Sequence, residues 1–414
     1  MKLEEKIIAG QNGTPLKKVL NFDEETYSVV TRPEYFPIQI KVPKKHIYER
    51  RNTGGHPYFV DDNQHLWGAS GTSIYKVDLA SNESELFINM TTVDDSIVSV
   101  ESVIKTKEDS DGNYNILVSV TIEAGNSGGQ LYVSSDKGVT WTKTLDANDF
   151  GLKSLFRHST IWYHWSGNRE YIVVGSYGNN NAEDESANNK VWISKDKGIT
   201  WQVIYEPPLV VSGTNNHIHS LCVQPNNGWL WITHGDGGNR GIVYSHDALY
   251  ATNPTITILS EGKFKVGGWQ PSAVVTTGLG AHFGTDSEGG LPNGILSYDI
   301  PGRTMIDKLG YRYQALHDDE LVHISRRGAQ IDFTEAYLVM HCAGKSETKV
   351  MATGDCGLSW HEVMSLPFGA FEKGMTNPDK DGFVYGPNSR FKVSEWETVT
   401  KWVKGRFADK VGYI

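Results

Sequence analysis

Three stretches of the chain share one pattern: Ser134-Ser-Asp136-Lys-Gly138-Val-Thr140-Trp141, Ser194-Lys-Asp196-Lys-Gly198-Ile-Thr200-Trp201 and Thr353-Gly-Asp355-Cys-Gly357-Leu-Ser359-Trp360. Each copy follows an apolar run that is typical of a β-strand. In such a stretch the carboxylate and the hydroxyls bond the backbone of a turn, the glycine supplies a positive φ, and the tryptophan covers the hairpin. The pattern therefore predicts a repeated strand–turn–strand unit.

Four positions of each copy are predicted to be structural: the first hydroxyl residue, the carboxylate, the glycine and the tryptophan. They are Ser134, Asp136, Gly138 and Trp141, then Ser194, Asp196, Gly198 and Trp201, and then Thr353, Asp355, Gly357 and Trp360.

The spacing of the copies indicates further units between them. Ser194 follows Ser134 by 60 positions, and Thr353 follows Ser194 by 159, close to three more units. Degenerate copies at Ser245-x-Asp247 and Ser297-x-Asp299 fill that gap without the glycine and the tryptophan.

A second series of apolar runs has a similar period. The seven runs are 65–70, 116–125, 171–178, 229–236, 281–286, 337–344 and 382–387. Periods of this size indicate radial repetition of four-stranded blades. We therefore predict an all-β fold, a β-propeller at residues 51–414, with seven blades favoured over six and a short N-terminal β extension at residues 1–50.

The three copies resemble the Asp-box, or BNR repeat, of sialidases and of many other glycan-handling β-propellers. This resemblance implies a sialidase-like propeller with a carbohydrate-related role. The repeat itself identifies an architecture and not a reaction, because its chemistry is local to the turn.

Composition excludes some partners. The chain has 414 residues, a formal net charge of −10 and a pI near 5.8, whereas nucleic-acid binding requires a basic face. No stretch is apolar for long enough to predict a membrane span, and the N-terminus lacks the apolar core of a signal peptide.

The first 50 residues do not follow the blade period. Residues 7–23 are predicted to form two short strands joined at Asn12-Gly13. This segment resembles the start of tailed-phage virion and tail-fibre proteins, which implies attachment to other virion proteins and a location in the tail or otherwise facing the cell exterior. An ordinary hairpin packed on the propeller is the alternative.

Candidate binding residues lie where polar segments end successive strands of neighbouring blades. Propellers bind ligands at one mouth of the central channel, where such loops converge. The predicted glycan-binding residues are Tyr177, His217, His219, His234, Asp236, Gln270, His282 and Asp286.

The pair His217 and His219 leaves two alternatives open. Side chains two apart on a strand share one face, so the pair binds a transition ion with a third ligand, such as His234, His282 or Asp236. Alternatively, both imidazoles form a polar channel wall. No organic cofactor is predicted.

We expect a glycan-recognising propeller, most consistent with a phage receptor-binding protein that contacts host cell-surface carbohydrate as a homo-oligomer and gains avidity from its copies. The alternative is a carbohydrate-active enzyme, a sialidase-like hydrolase or a polysaccharide lyase, and a scaffold without ligand is a third class.

No catalytic residue is assigned. A glycosidase needs two carboxylates, with Asp236, Asp286 and Glu288 as candidates. A sialidase needs converging arginines, with Arg157, Arg240, Arg312, Arg326, Arg327 and Arg390 as candidates and Tyr313 or Tyr385 as nucleophile.

Overall fold

A computed structural model describes most of the chain. The described residues are 4–9, 15–22, 25–29, 35–123, 127–152, 154–178, 189–208, 216–236, 240–261, 270–286, 294–299, 309–314, 322–324, 328–342, 347–367, 370–371 and 374–404, with side chains from residue 39 onward except at 127, 260–261, 299, 309–314, 322–324, 340–342 and 401–404. The chain divides into two compact units, residues 43–396 and residues 1–42 with 397–414.

The described residues form seven antiparallel sheets in sequence order, which are the blades of a β-propeller. Blade 1 contains β5 (His56–Val60), β6 (His65–Ser70), β7 (Ser73–Asp78) and β8 (Ser84–Asn89), and blade 2 contains β9 (Ser99–Lys105), β10 (Ile116–Glu123), β11 (Ser127–Ser134) and β12 (Thr142–Asp146). Blade 3 contains β14 (Ile161–Ser166), β15 (Arg169–Gly175), β17 (Val191–Ser194) and β18 (Gln202–Tyr205), and blade 4 contains β19 (Ile218–Val223), β20 (Leu230–His234), β21 (Gly241–Ser245) and β22 (Thr257–Glu261).

The remaining blades follow the same order. Blade 5 contains β23 (Pro271–Thr277), β24 (Gly280–Thr285), β25 (Gly294–Asp299) and β26 (Leu309–Gln314), and blade 6 contains β27 (Val322–Ile324), β28 (Ala329–Gln330), β29 (Ala336–Cys342), β30 (Glu347–Thr353) and β31 (His361–Pro367). Blade 7 contains β32 (Val384–Gly386), β33 (Ser389–Lys404) and β4 (Tyr35–Arg50).

The elements outside the blades are short. They are the sheet of β1 (Glu4–Ala9), β2 (Pro15–Phe22) and β3 (Glu25–Val29), the pair β13 (Ser154–Leu155) and β16 (Tyr177–Gly178), and the 3-10 helices Met90–Thr92, Ala147–Phe150 and His158–Thr160. Within the described ranges, no helix is long and apolar enough to cross a bilayer.

The sequence prediction of a propeller is confirmed. The run 382–387 contains β32, the end strand of blade 7, and each of the other six runs coincides with the second strand of its sheet. Such strands are covered on both faces by the neighbouring blades, and a strand buried on both faces has a continuous apolar run. The first strands of neighbouring blades contact each other, as β5 contacts β9 and β19 contacts β23, which places them innermost.

Blade 7 contacts blade 1 and completes the ring. The side-chain amide of Asn377 accepts a hydrogen bond from Val60 N at 2.9 Å and donates one to Val60 O at 2.8 Å. The Asn377 side chain thus joins the segment before β32 to the backbone of β5. Within blade 7, Arg51 N, directly after β4, donates to Asn388 O at 3.0 Å, between residues that lie far apart in sequence.

The predicted boundary at residue 50 differs from the structure. Strand β4 extends to Arg50 as a member of blade 7, and its residues from 43 onward belong to the larger unit. Strands β1 and β2 occupy the predicted N-terminal hairpin, and its Asn12-Gly13 turn lies outside the described residues. The attachment role of this segment stays a prediction.

The repeat turns have the predicted local chemistry. In the second copy the Ser194 hydroxyl donates to Asp196 Oδ1 at 2.7 Å and accepts from Gly198 N at 2.8 Å, while Thr200 N donates to Asp196 Oδ1 at 2.9 Å. The glycine φ is 91° here, 91° at Gly138 and 78° at Gly357, the region that glycine adopts without strain.

Each repeat glycine also lies against the preceding blade. A Cβ on Gly138 would lie 2.5 Å from the Phe87 ring, and one on Gly357 would lie 1.9 Å from the His282 ring. The degenerate copy at Ser245 retains only part of the turn, with the Ser245 hydroxyl donating to Asp247 Oδ1 at 2.8 Å.

We predict that Asp196→Ala lowers the free energy of unfolding by about 1–3 kcal/mol, because several turn donors lose one acceptor. Asp247→Ala, in the degenerate turn, is expected to cost less, since the bonds of Asp247 to Ser245 and to Thr255 lack the bond from the intervening turn backbone that Ile199 N gives Asp196. Urea unfolding of both variants measures the difference. An equal or larger loss for Asp247→Ala would contradict the structural role of the repeat.

A second prediction concerns acid stability. His164 in β14 is 6% exposed, its Nε2 has no hydrogen-bond partner among the described residues, and burial lowers its pKa from 6.5 to about 4. Between pH 6.5 and about pH 4, His164 is therefore protonated in the unfolded state but neutral in the folded state. Stability is retained above pH 6.5 and lost as the pH falls towards 4.

Between pH 7 and pH 5 this single group should remove about 2 kcal/mol from the free energy of unfolding. The His164→Phe variant should lose that much less over the same interval. Urea unfolding at both pH values makes the comparison, and an identical pH dependence in the two proteins would show that His164 titrates normally in the folded state.

Candidate functional site

A cluster of polar side chains lies where blades 3, 4 and 5 meet at the ends of their inner strands. Within blade 4, Ile218 at the start of β19 pairs with His234 at the end of β20, and in blade 5 Pro271 pairs with Thr285. The residues flanking these pairs therefore lie at one edge of the propeller. They are His217 and His219, Asp236, Gln270 and Asp286. Tyr177 of β16 joins them from the connection between β15 and β17 of blade 3.

His217 and His219 contact each other directly. Their Nε2 atoms lie 2.8 Å apart and their ring centroids 4.7 Å apart. His219 is the extra residue of a β-bulge between Ile218 and Ser220. Bulges commonly redirect a side chain beside a functional site, and here the bulge directs His219 toward blade 5.

Asp236 joins both imidazoles. His219 Nε2 lies 3.1 Å from Asp236 Oδ1, and His217 Nε2 lies 3.4 Å from Asp236 Oδ2. Burial alone would raise the pKa of Asp236, but hydrogen bonds and charge from the two histidines hold that pKa well below its usual range. Burial also lowers the pKa of His217, against the opposing effect of Asp236. Asp236 is therefore an ionised carboxylate at neutral pH.

Blade 5 contributes two further residues beside Asp236, Gln270 and Asp286. Gln270 Nε2 donates to Asp236 Oδ1 at 2.8 Å. The backbone N–H of Asp286 donates to Gln270 O at 2.7 Å, which places Asp286 next to the cluster. Asp236 and Asp286 are partly exposed, whereas Gln270 and both histidines are buried. Solvent therefore reaches the carboxylate side of the cluster.

Tyr177 does not present a free aromatic face. The guanidinium carbon of Arg157 lies 3.5 Å from the Tyr177 ring centroid, and the His217 ring stacks at 4.2 Å with an interplanar angle of 26°. Two groups this close to one centroid cannot occupy the same face, so they cover opposite faces. Tyr177 therefore offers its edge to a ligand, and not the stacking platform that an aromatic sugar contact requires.

A buried amide network fixes the segment before His217. Asn216 Nδ2 donates to Pro207 O at 3.0 Å, and Asn216 Oδ1 accepts from Asn189 Nδ2 at 3.1 Å. The carbonyl of His217 accepts from Gly235 N at 2.8 Å. The backbone on either side of the cluster, at Asn216 and at Gly235, is therefore fixed by hydrogen bonds that do not involve the imidazole rings.

Two predicted members do not join the cluster. His234 Nε2 lies 2.9 Å from the Tyr205 hydroxyl in blade 3. His282 bonds the hydroxyls of Thr277 and Ser297 at 3.0 and 2.7 Å. The ring of His282 lies 5.5 Å from Trp360, below the repeat turn of blade 6. Both histidines therefore satisfy contacts between strands or blades, which is a packing role.

Two of the arginines considered for a sialidase site, Arg157 and Arg390, lie in different parts of the propeller. Arg157 lies on Tyr177, while Arg390 pairs with Glu49 through Nε at 2.7 Å and stacks on Phe383 in blade 7. Tyr385 is also in blade 7, where its hydroxyl donates to Asp379 at 2.7 Å. The side chains of Glu288, Arg312, Tyr313, Arg326 and Arg327 lie outside the described residues.

Asn189 and Asn216 have no role that the sequence predicts, and Arg157 is predicted only as a candidate sialidase arginine. Arg157 precedes the 3-10 helix His158–Thr160, and Asn189 precedes β17. No local pattern marks these residues, because each meets the cluster through tertiary contacts. The one available signal was that two polar residues, Asn216 and His217, directly precede the apolar strand β19.

Comparison with known proteins leaves the family open. No protein-family model matches the chain, and no curated protein matches it. Among solved structures, a prolyl endopeptidase is similar over 88% of this chain and 50% of its own, at 10% identity and TM-score 0.49. A chain of a mitotic checkpoint complex is similar over 86% of this chain and 96% of its own, at 11% identity and TM-score 0.48. The GH74 xyloglucanase from Xanthomonas campestris is similar over 77% of this chain and 47% of its own, at 13% identity and TM-score 0.46. These similarities are too low to bear on activity.

Proposed function

We propose that this propeller recognises glycans at the cluster formed by blades 3, 4 and 5. One observation carries the proposal: polar side chains from three blades converge where the strand ends would otherwise pack with apolar residues. The resemblance of the three repeat turns to the Asp-box of glycan-handling propellers supports the same class of ligand.

The exposed part of the cluster favours hydroxyl recognition. Asp236 and Asp286 are partly exposed, and Gln270 lies between them in the hydrogen-bond network. Carboxylates accept hydrogen bonds from sugar hydroxyls and also orient neighbouring donors. Because both faces of Tyr177 are covered, affinity is expected from hydrogen bonds and less from ring stacking.

The biological setting that we propose is a phage tail that contacts the host surface. The N-terminal segment, with β1 and β2 in place, resembles the start of tail-fibre and virion proteins. Single glycan sites are weak, and identical chains in one assembly would raise the overall affinity through multivalency. The alternative is a carbohydrate-active enzyme, and the contact between His219 and the Asp236 carboxylate favours it, since such a pair suits proton transfer.

Replacing Asp286 with alanine should reduce glycan binding at least about tenfold, since a charged hydrogen-bond acceptor is worth about 1.5–3 kcal/mol. His219→Ala should do the same. His246→Ala is the matched control, because His246 is an exposed histidine of the same blade outside the cluster. Binding is measured on a glycan array and then by titration with the best ligand.

Thermal unfolding of the Asp286→Ala variant should stay near that of the wild type. Undiminished glycan binding by both site variants would refute the proposed surface. Turnover of an oligosaccharide that disappears in His219→Ala would instead assign the protein to the enzyme class.

Deleting residues 1–29, which include β1, β2 and β3, should leave the propeller folded but unable to join its parent assembly. The reason is that the seven sheets use no strand from this segment. Circular dichroism and thermal unfolding test the fold, and co-assembly with the other virion proteins tests attachment. Loss of the cooperative unfolding transition would show that the segment is part of the propeller.

A further inference from the structure

We propose that His217 Nε2, His219 Nε2 and the Asp236 carboxylate bind one divalent first-row transition ion. Potential ligand atoms of these three residues all lie within 4.8 Å of one another. The inference concerns the same cluster as the proposed function but does not depend on a glycan, because the ion alone is the ligand to be tested.

The distances match a coordination sphere. Nitrogen and oxygen ligands lie about 2.0–2.2 Å from ions such as Zn²⁺, so adjacent ligand atoms lie about 2.8–3.6 Å apart in octahedral or tetrahedral geometry. The observed separations are 2.8 Å between the two Nε2 atoms, 3.1 Å from His219 Nε2 to Asp236 Oδ1, and 3.4 Å from His217 Nε2 to Asp236 Oδ2. The three residues are thus already placed on one face of a coordination polyhedron.

The position of the ring proton of His219 also favours an ion at this site. His219 Nδ1 lies 2.9 Å from the carbonyl oxygen of Pro271, which only accepts, so Nδ1 carries the proton. In a neutral imidazole Nε2 then holds a lone pair. In that neutral form the lone pair faces Asp236 Oδ1, which is also an acceptor, so His219 donates a hydrogen bond to Asp236 only when its ring is protonated. A cation between the two atoms turns this repulsive contact into a favourable one.

The surroundings resemble those of metal ligands elsewhere. Metal-binding histidines commonly donate their other N–H to a backbone carbonyl, and ligating carboxylates are themselves hydrogen-bonded. Here Pro271 O orients His219, and Gln270 Nε2 orients Asp236 at 2.8 Å. His217 and His219 are each 5% exposed, so water competes weakly for their Nε2 atoms.

The ligand set defines the class of ion. Two imidazoles and one carboxylate suit Zn²⁺, Mn²⁺, Fe²⁺, Co²⁺ or Ni²⁺, whereas Ca²⁺ and Mg²⁺ prefer oxygen ligands throughout. Three protein ligands leave at least one position for water or another oxygen. The Asp236 side chain is 29% exposed, so that position is open to solvent. A hydroxyl or carboxylate of a bound glycan would be a suitable occupant.

The test uses the full chain, stripped with a chelator and titrated with Zn²⁺ by calorimetry, with metal content measured after dialysis. We expect one ion per chain. His219→Gln and Asp236→Asn should each lower the affinity at least about tenfold, and Gln270→Ala by a smaller factor. The control variant His246→Gln should bind as the wild type does. Absence of binding, or undiminished binding by both ligand variants, would overturn the proposal.

X-ray absorption on the wild-type protein loaded with Zn²⁺ or Co²⁺ gives a result that does not depend on how the variants fold. Two imidazole ligands and oxygen in the remaining positions are expected. A spectrum with one imidazole or none would overturn the site. Glycan binding by the ion-free protein would leave the proposed function intact, and glycan binding that requires the ion would join the two.

Discussion

Close contact between neighbouring blades is the constraint on which this structure depends. Every blade must place a sheet face against the next, and the repeat turns bring backbone against side chain at that junction. At Gly198 an added Cβ would lie 3.1 Å from Val133 of blade 2, and at Gly357 it would overlap the His282 ring. The carboxylate of each repeat holds the turn whose glycine permits this approach. One local hydrogen-bond pattern therefore fixes both a hairpin and the seam beside it.

The same packing explains the character of the polar cluster. Strand β19 is buried along its whole length, so a polar group at its start must find partners or remain costly. His219 meets this requirement with Pro271 O, and His217 Nε2 meets it with His219 and Asp236, but His217 Nδ1 has no partner among the described residues. The result is a site with buried imidazole nitrogens and a partly exposed carboxylate, and contacts with the neighbouring blades hold it in place.

Local and periodic features were predictable from the sequence. The repeat turns were predictable because Ser194, Asp196 and Gly198 interact within a few residues of one another. The blade period was predictable because strands that are buried on both faces are continuously apolar. Side-chain direction across blades was not predictable: His282 was a predicted site residue, but its ring lies 5.5 Å from Trp360. The contact of Arg157 with Tyr177 has no local signature. Strand β4 was missed because its lysines, such as Lys44 and Lys45, pair with Glu395 at a charged edge and carry no apolar run.

Blade 7 draws its strands from opposite ends of the sequence, and this sets an order for synthesis and folding. Arg390 bonds Glu49 across 341 positions, so β4 has no partner in blade 7 until β33 has left the ribosome. The six intervening sheets are hairpin-connected and form from near neighbours, whereas the seam is a long-range closure with a large loop entropy. The nascent protein thus carries an unpaired strand edge during translation, and charged residues at that edge are a known protection against association with other chains.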